Sequence, residues 1–529
     1  ADFFVRAPKP RGPSMEVPGP CEPMRAGLAR IRACLSLCSV SILAGCQVPA
    51  ARITDTEPNG VLRSPPAVLA RQIVADTALQ LACHPLRSGK VLLSESVDHL
   101  RAAGEGTIGK RILMPLWSAP GPVQEDRSAI SPDVLEDEMC GLVGPELQPA
   151  RIDLYPDPNE ALTALKQIIN GASRRIDVLM FQWENDSVGA AVATWLAAKA
   201  GPNLPVRVLV DGGGNLIFGE PEHRPQPDVN RVVSALAQQP HVEVIRTRNP
   251  LARFDHRKLV LVDGHVAWTG GRNFTRKAFY CQRDLSFTLA GPLVAEWQKC
   301  FDAFWEEQGG TAVGSGQWAV GSEETKPVRD SGVTDTDPMK IVPLPTAHCP
   351  LPTTANALAR LVYTAPCDHQ LAEVLYRAVD RAEHHVYIEN FTFGDSRLIY
   401  KLAQTRRRGV DVRVVMTLTD GTRVVNGANR VLANRLLQAG VRVYIDPGMT
   451  HVKAASVDGC WAYLGSGNFD GMSMRHNREL GVAVGGGPLV RELEERLFLI
   501  DFQPDWELHH PLPVEFRDYL CEILICLCM

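Results

Sequence analysis

The chain has 529 residues, 45% of them hydrophobic and 22% charged, with a formal net charge of −5. That length exceeds a single hydrophobic core and calls for two or three domains, and that composition is ordinary for a globular protein. The acidic balance offers no global basic field, so no nucleic-acid partner is expected beyond what a local patch would hold. The 14 cysteines include no CxxC pair and no zinc-finger spacing, which speaks against a zinc site.

In chain order, the first element is "MRAGLARIRACLSLCSVSILAGCQ", which starts at Met24 with three arginines and runs apolar from Ala33 to Gly45. The run is far shorter than the ~20 residues that span a bilayer, but it fits the apolar region of an export signal. Its end, Leu43-Ala44-Gly45-Cys46, resembles a bacterial lipobox with Cys46 as the lipidated residue. Residues 1–46 therefore read as an upstream extension plus a lipoprotein signal. They predict a membrane-associated protein facing the periplasm or the outside. There, some of the ten cysteines after Cys46 would meet an oxidising space and could pair. Residues 47–150 form an accessory segment with one or two helices and no motif.

From 151 to 308 the pattern sharpens. "NEALTALKQIING" has helical spacing, "RIDVLMFQW" is a buried strand, "VGAAVATWLAAKA" a helix, and "VRVLVDGGG" a strand entering a turn. Residues 309–353, rich in Gly, Ser, Thr, Pro and charge, read as a linker. From 354 to 505 the order returns, as helix "LAEVLYRAVDRAEHH", strand "VYIENFTF", helix "SRLIYKLAQTRRRG", strand "VDVRVVMTL", then helix and strand in "NRLLQAGVRVYI". The tail, 506–529, ends in "LCEILICLCM", apolar but too short to cross a membrane. Helices alternating with short apolar runs predict an α/β fold whose sheets are covered on both faces.

The two halves also share sequence. "HRKLVLVDGHVAWTGGRN" (256–273) and "HVKAASVDGCWAYLGSGN" (451–468) lie 195 residues apart, and 11 of the 32 positions that start at each His are identical. This is an internal duplication, and it predicts two homologous halves related by a pseudo-two-fold axis. In each copy a strand, an Asp-Gly turn and a second strand make a hairpin. Alternation along the first strand puts His256 and Lys258 on one face, and likewise His451 and Lys453.

An imidazole beside an ammonium can bind an oxyanion and attack it, or protonate what leaves. The Gly-rich turn lets backbone approach closely, and Asn273 or Asn468 adds an amide donor, so the cluster suits a phosphoryl group. One copy alone is incomplete. A phosphodiester needs a nucleophile on one side and an acid on the other, and two facing histidines in opposite protonation states supply both. Each imidazole also needs an orienting carboxylate. Asp284 follows His256 by 28 residues, and Glu479 follows His451 by 28. Two lysines can neutralise the phosphate oxygens, so neither metal nor other cofactor is required.

These two HxKxxxxD boxes, followed by Gly-Gly-x-Asn and Gly-Ser-x-Asn, resemble the HKD motifs of the phospholipase D superfamily, and "HRKLVLVDGHVAWTGGRN" is most similar to bacterial cardiolipin synthase-like proteins. The resemblance covers roughly residues 150–500. It implies paired α/β/α halves with the active site at their interface, and a covalent phosphohistidine with His256 as nucleophile and His451 as general acid. Lys258, Lys453, Asn273, Asn468, Gly271 and Ser466 would then hold the phosphate, with Asp284 and Glu479 in support. Asp263 and Asp458 complete the catalytic motifs, although the residues alone assign them equally to turning the hairpin and bracing the site. The implied activity is a phosphatidyltransferase acting on a phospholipid at a membrane surface, with an alcohol such as phosphatidylglycerol, or water, as acceptor. Both halves sit in one chain, so a monomer would suffice. A lipid hydrolase and a nucleic-acid phosphodiesterase are the rival readings, and a non-catalytic binding protein is a third.

Overall fold

Each half of the chain contributes seven strands to the path of one continuous sheet, with a short eighth from the second half beside it, and the strand order reads the same outward from the middle. The computed structural model describes residues 65–97, 120–144, 147–214, 231–310, 355–419 and 423–528, apart from 84, 87, 94–95 and 125–127. Residues 1–46, read from the sequence as an extension and lipoprotein signal with Cys46, and almost all of the expected linker lie outside the described residues.

The first half provides β1 (Gln148–Tyr155), β2 (Ile176–Met180), β3 (Val206–Val210), β4 (Val242–Arg246), β5 (Lys258–Val262), β6 (Val266–Gly270) and β7 (Ser286–Ala290). The second provides β8 (Ala357–Ala365), the two-residue β9 (Asp368–His369), β10 (His385–Asn390), β11 (Asp411–Thr417), β12 (Arg442–Asp446), β13 (Lys453–Val457), β14 (Trp461–Gly465) and β15 (Glu479–Gly485). The order β4-β3-β2-β5-β6-β7-β1 continues into β8-β15-β14-β13-β10-β11-β12, with β9 beside β8. The two halves join where Ala150 of β1 pairs antiparallel with Ala357 of β8. The α/β fold class follows the sequence, although β1 begins a few residues before the boundary expected at 151.

Local chemistry explains the elements. β2, β3, β5 and β13 are buried along their whole length, as expected for strands covered on both faces. The helices that cover them start at side-chain caps. Asp157 accepts from the Asn159 and Glu160 amides ahead of helix Pro158–Gly171, and Asp186 does the same for Val188 and Gly189 ahead of Ser187–Lys199. Of the two outer cores, one lies within the first half and the other joins the second half to Leu135 and Met139 of helix Pro132–Val143. The inner core is shared, with Trp297 and Phe301 of helix Leu293–Glu307 packed among the same cluster as Leu361, Val482 and Phe498.

The described parts of the accessory segment and of the tail form helices that pack on the two halves. Helix Pro65–Cys83 sits on residues 249–251, where Thr77 Oγ1 and Asp76 Oδ2 accept the Leu251 and Asn249 amides. The tail forms helix Phe516–Cys528, tied to helix Arg423–Gln438 through Asp518 and Arg430. Among the described residues no disulfide joins the cysteines, and no helix is long and apolar enough to cross a membrane.

Candidate active site

The repeated Asp-Gly pairs turn the hairpins. Asp263 and Gly264 have φ of 57° and 72°, and Asp458 and Gly459 have 54° and 65°. Two successive positive φ values make the tight turn that matches strand twist, and Asp tolerates that region better than most residues. Both aspartates are then used for bracing. Asp263 accepts from the amides of Ser173, Arg174 and Arg175, and Asp458 from those of Glu383, His384, His385 and Ile130. They lie seven residues beyond each His along a strand, on the order of 20 Å at the usual rise. Their placement with the catalytic groups is thus corrected: the hairpin carries His and Lys at one end and the aspartate at the other.

At the near end the geometry converges. His256 and His451 are each under one-tenth exposed, and Lys258 and Lys453 are buried. Each lysine ammonium donates to the carbonyl of the His two residues before it, Lys258 at 2.5 Å and Lys453 likewise. A Phe at the end of each inner strand closes the wall. The Phe181 ring lies 4.6 Å from the His256 ring with Lys258 Nζ 4.8 Å above it, and Phe391 lies 5.1 Å from His451 with Lys453 Nζ at 5.6 Å. The sequence carried a signal for this pair, since "FQW" and "FTF" are aromatic-x-aromatic at matched strand ends.

The carboxylates cross over. His256 Nδ1 lies 3.0 and 3.1 Å from the two oxygens of Glu479, and His451 Nδ1 lies 2.7 Å from Asp284 Oδ2. Each acid therefore serves the imidazole of the other half. The backbone enforces the exchange. His256 N donates to Arg478 O at 3.0 Å and Arg478 N to Phe254 O, while His451 N donates to Arg283 O at 2.7 Å and Arg283 N to Met449 O. The residues just before each His and each acid thus form short parallel bridges across the seam.

Gly271 and Ser466, expected on the phosphate, instead adjoin the acids. A Cβ at Gly271 would fall 2.1 Å from Asp284 Oδ1, so only glycine leaves room for that carboxylate. The Ser466 hydroxyl donates to Glu479 Oε2 at 2.6 Å, and Ser473, which the motif analysis overlooked, donates to Oε1 at 2.6 Å. Asn273 does border the site. Its amide donates to Gln182 at 3.4 Å, and the amide oxygens of Asn273 and Asn468 have no hydrogen-bond partner. Arg257, on the opposite side of the strand from His256 and Lys258, is buried against Asp255 at 2.5 Å and is structural.

Burial sets the electrostatics. It pushes Lys258 down to about 7, with the Lys453 charge adding to the effect, and pushes Lys453 down to about 8. Burial likewise lowers His256, and it lowers His451 to about 3 with help from Lys453. The two acids go the other way. Burial disfavours their charge, but the facing imidazoles and lysines outweigh it and hold Asp284 and Glu479 below the usual carboxylate range.

Two imidazoles steered by carboxylates, with two ammonium groups alongside, make an acid–base and nucleophilic site shaped for an anion. A family model described as "Cardiolipin synthase, PLD-like domain" matches residues 165–305 and 375–498, half of the chain. The chain belongs to this family and is an enzyme of the phospholipase D superfamily. Cardiolipin synthase A of Escherichia coli O157:H7 (strain EC4115 / EHEC) is 25% identical over 362 residues, 65% of this chain and 67% of the relative. Its counterpart in Shigella boydii serotype 4 (strain Sb227) is 24% identical over the same shares. Among solved structures, phosphatidylserine synthase of Haemophilus influenzae Rd KW20 aligns at a TM-score of 0.51 with 14% identity, over 75% of this chain and 100% of that one. That likeness concerns the fold.

Proposed function

We propose that this enzyme transfers the phosphatidyl group of a glycerophospholipid to an alcohol through a covalent phosphohistidine. The observation that carries the reading is the crossed pair of buried imidazole–carboxylate contacts beside two buried lysines, in a chain of the cardiolipin synthase family.

A formal charge count explains how two similar histidines take opposite roles. Lys258 and Lys453 in their charged forms balance Asp284 and Glu479, so the free site is neutral with both imidazoles unprotonated. A phosphodiester monoanion adds one negative charge, which one imidazolium offsets. Substrate entry therefore favours one protonated and one neutral histidine.

His256 Nε2, free of the carboxylate at Nδ1, attacks phosphorus and forms the N–P bond. The bond from phosphorus to the headgroup oxygen breaks, and His451 gives that oxygen its proton. In the second step an acceptor hydroxyl loses its proton to His451 and attacks phosphorus. The N–P bond breaks and the imidazole of His256 is restored. The lysine ammonium groups and the amides of Asn273 and Asn468 hold the non-bridging oxygens. With phosphatidylglycerol as both donor and acceptor the products are cardiolipin and glycerol, and with water the product is phosphatidic acid.

The test is incubation with phosphatidylglycerol followed by lipid analysis. Cardiolipin with an equivalent of glycerol is the expected result. Phosphatidic acid alone would make the enzyme a hydrolase. Cleavage of DNA or RNA with lipid left untouched would overturn the lipid reading.

A further inference from the structure

The C-terminal helix Phe516–Cys528 has two different faces. One is anchored. Ile525, fully buried, packs with Val425 and Ala428 of helix Arg423–Gln438, and Asp518 pairs with Arg430 at 3.2 Å. The other is apolar and open, with Phe516 78% exposed, Tyr519 42% and Leu520 44%. Those positions are three and four residues apart, so they share one side of the helix. Exposed apolar residues clustered in this way, rather than scattered, mark a surface made to be covered.

Where the helix sits points to the occupant. Phe391 packs against the same cluster that buries Ile525, and the Phe391 ring lies 5.1 Å from His451. The inner face of the helix is therefore continuous with the wall of the active site, and its outer face lies one helix thickness further out. Exposed Arg517, ion-paired with exposed Glu515 at 3.0 Å, flanks Phe516 and places a cation beside the apolar face. An apolar stripe containing a Tyr, flanked by a cation, has the chemistry of a helix that lies in the headgroup layer of an anionic bilayer.

We infer that the Phe516, Tyr519 and Leu520 face of this helix docks the enzyme onto the surface of an anionic phospholipid bilayer. This inference rests on the phospholipid reading of the site, because the docked helix would set the Phe391 wall against the lipid to be cleaved.

The test is co-sedimentation of the purified full chain with phosphatidylglycerol vesicles and with phosphatidylcholine vesicles. The Phe516→Ser, Leu520→Ser double variant should bind phosphatidylglycerol vesicles at least tenfold more weakly. Its turnover of a short-chain phospholipid, monomeric in solution, should stay within about twofold of the parent, which also shows that it folds. Wild-type vesicle binding by the double variant would overturn the inference. So would a shift from dimer to monomer with vesicle binding unchanged, since the face would then join two copies of the chain. A second variant, Leu520→Trp, should show a blue-shifted difference emission on phosphatidylglycerol vesicles, and an unchanged emission would count against docking. His256→Ala protein should bind vesicles like the parent, so loss of the catalytic reading and loss of the docking face give different results.

Discussion

The two imidazole–carboxylate pairs occupy matched places but differ in what surrounds them. Glu479 divides its charge among His256 and the hydroxyls of Ser466 and Ser473, whereas Asp284 faces His451 with its own Leu285 amide as the other hydrogen bond at 2.8 Å. At the positions of the two serines the first half carries Gly271 and Ala278. A carboxylate with fewer donors keeps more charge for a facing cation. Asp284 thus has fewer donors competing with His451 than Glu479 has competing with His256, while burial and Lys453 still hold the free His451 ring down at about 3. The duplicated halves differ at three positions at or around the acids, Asp284/Glu479, Gly271/Ser466 and Ala278/Ser473, while the imidazoles and lysines stay the same.

The most forceful way to break this comparison is to remove one histidine at a time. His256→Ala and His451→Ala should each lower kcat on a natural phospholipid by about 10⁴-fold or more. With a p-nitrophenyl leaving group, which needs no protonation, His451→Ala should recover the first step and release a burst of nitrophenol, whereas His256→Ala should not. The opposite pattern would exchange the two roles. A second test uses pH. Lys258 and Lys453, at about 7 and 8, carry their charge below those values and lose it above them. kcat/KM should therefore fall about tenfold per unit between pH 7 and 8 and about a hundredfold per unit above both values, and a profile flat to pH 10 would remove the lysines from phosphate binding. Ser473→Ala should sharpen the comparison with a smaller effect, about three- to tenfold in kcat, together with a changed pH profile that a purely structural loss would not produce. Asp458→Ala should leave kcat nearly unchanged yet cost on the order of 2–3 kcal/mol in urea unfolding, because it strands buried backbone amides. A large loss of turnover in a folded Asp458→Ala protein would return that residue to the site.

Much of the fold was legible because the relevant signals are local. The Asp-Gly turns and the strand alternation that joins His256 to Lys258 both act within a few residues. The matched acids were legible as a spacing, but their crossing was not. A distance of 28 residues within one half carries no information about which half's imidazole the acid will meet, and that is fixed by backbone bridges across the seam. Asp263 and Asp458 show the reverse case. A motif places them beside the His and Lys, and the extended strand then carries them away. Gly271 and Ser466 looked alike as members of a Gly-rich turn, and only the packed site shows one making room for a carboxylate and the other donating to it. The tail looked like an apolar remnant because an anchored face and an open face overlap in so short a helix.

The crossed acids also have a genetic consequence. In a dimer of two identical single-half chains, any change at the acid would alter both pairs at once, so the pairs could not become different. Joining two copies in one reading frame gives each acid its own codon, and the Glu/Asp, Ser/Gly and Ser/Ala differences are the divergence that this independence permits. The same exchange makes the fusion hard to undo. A gene split between the halves would encode two products, each holding an imidazole whose partner acid was inherited by the other.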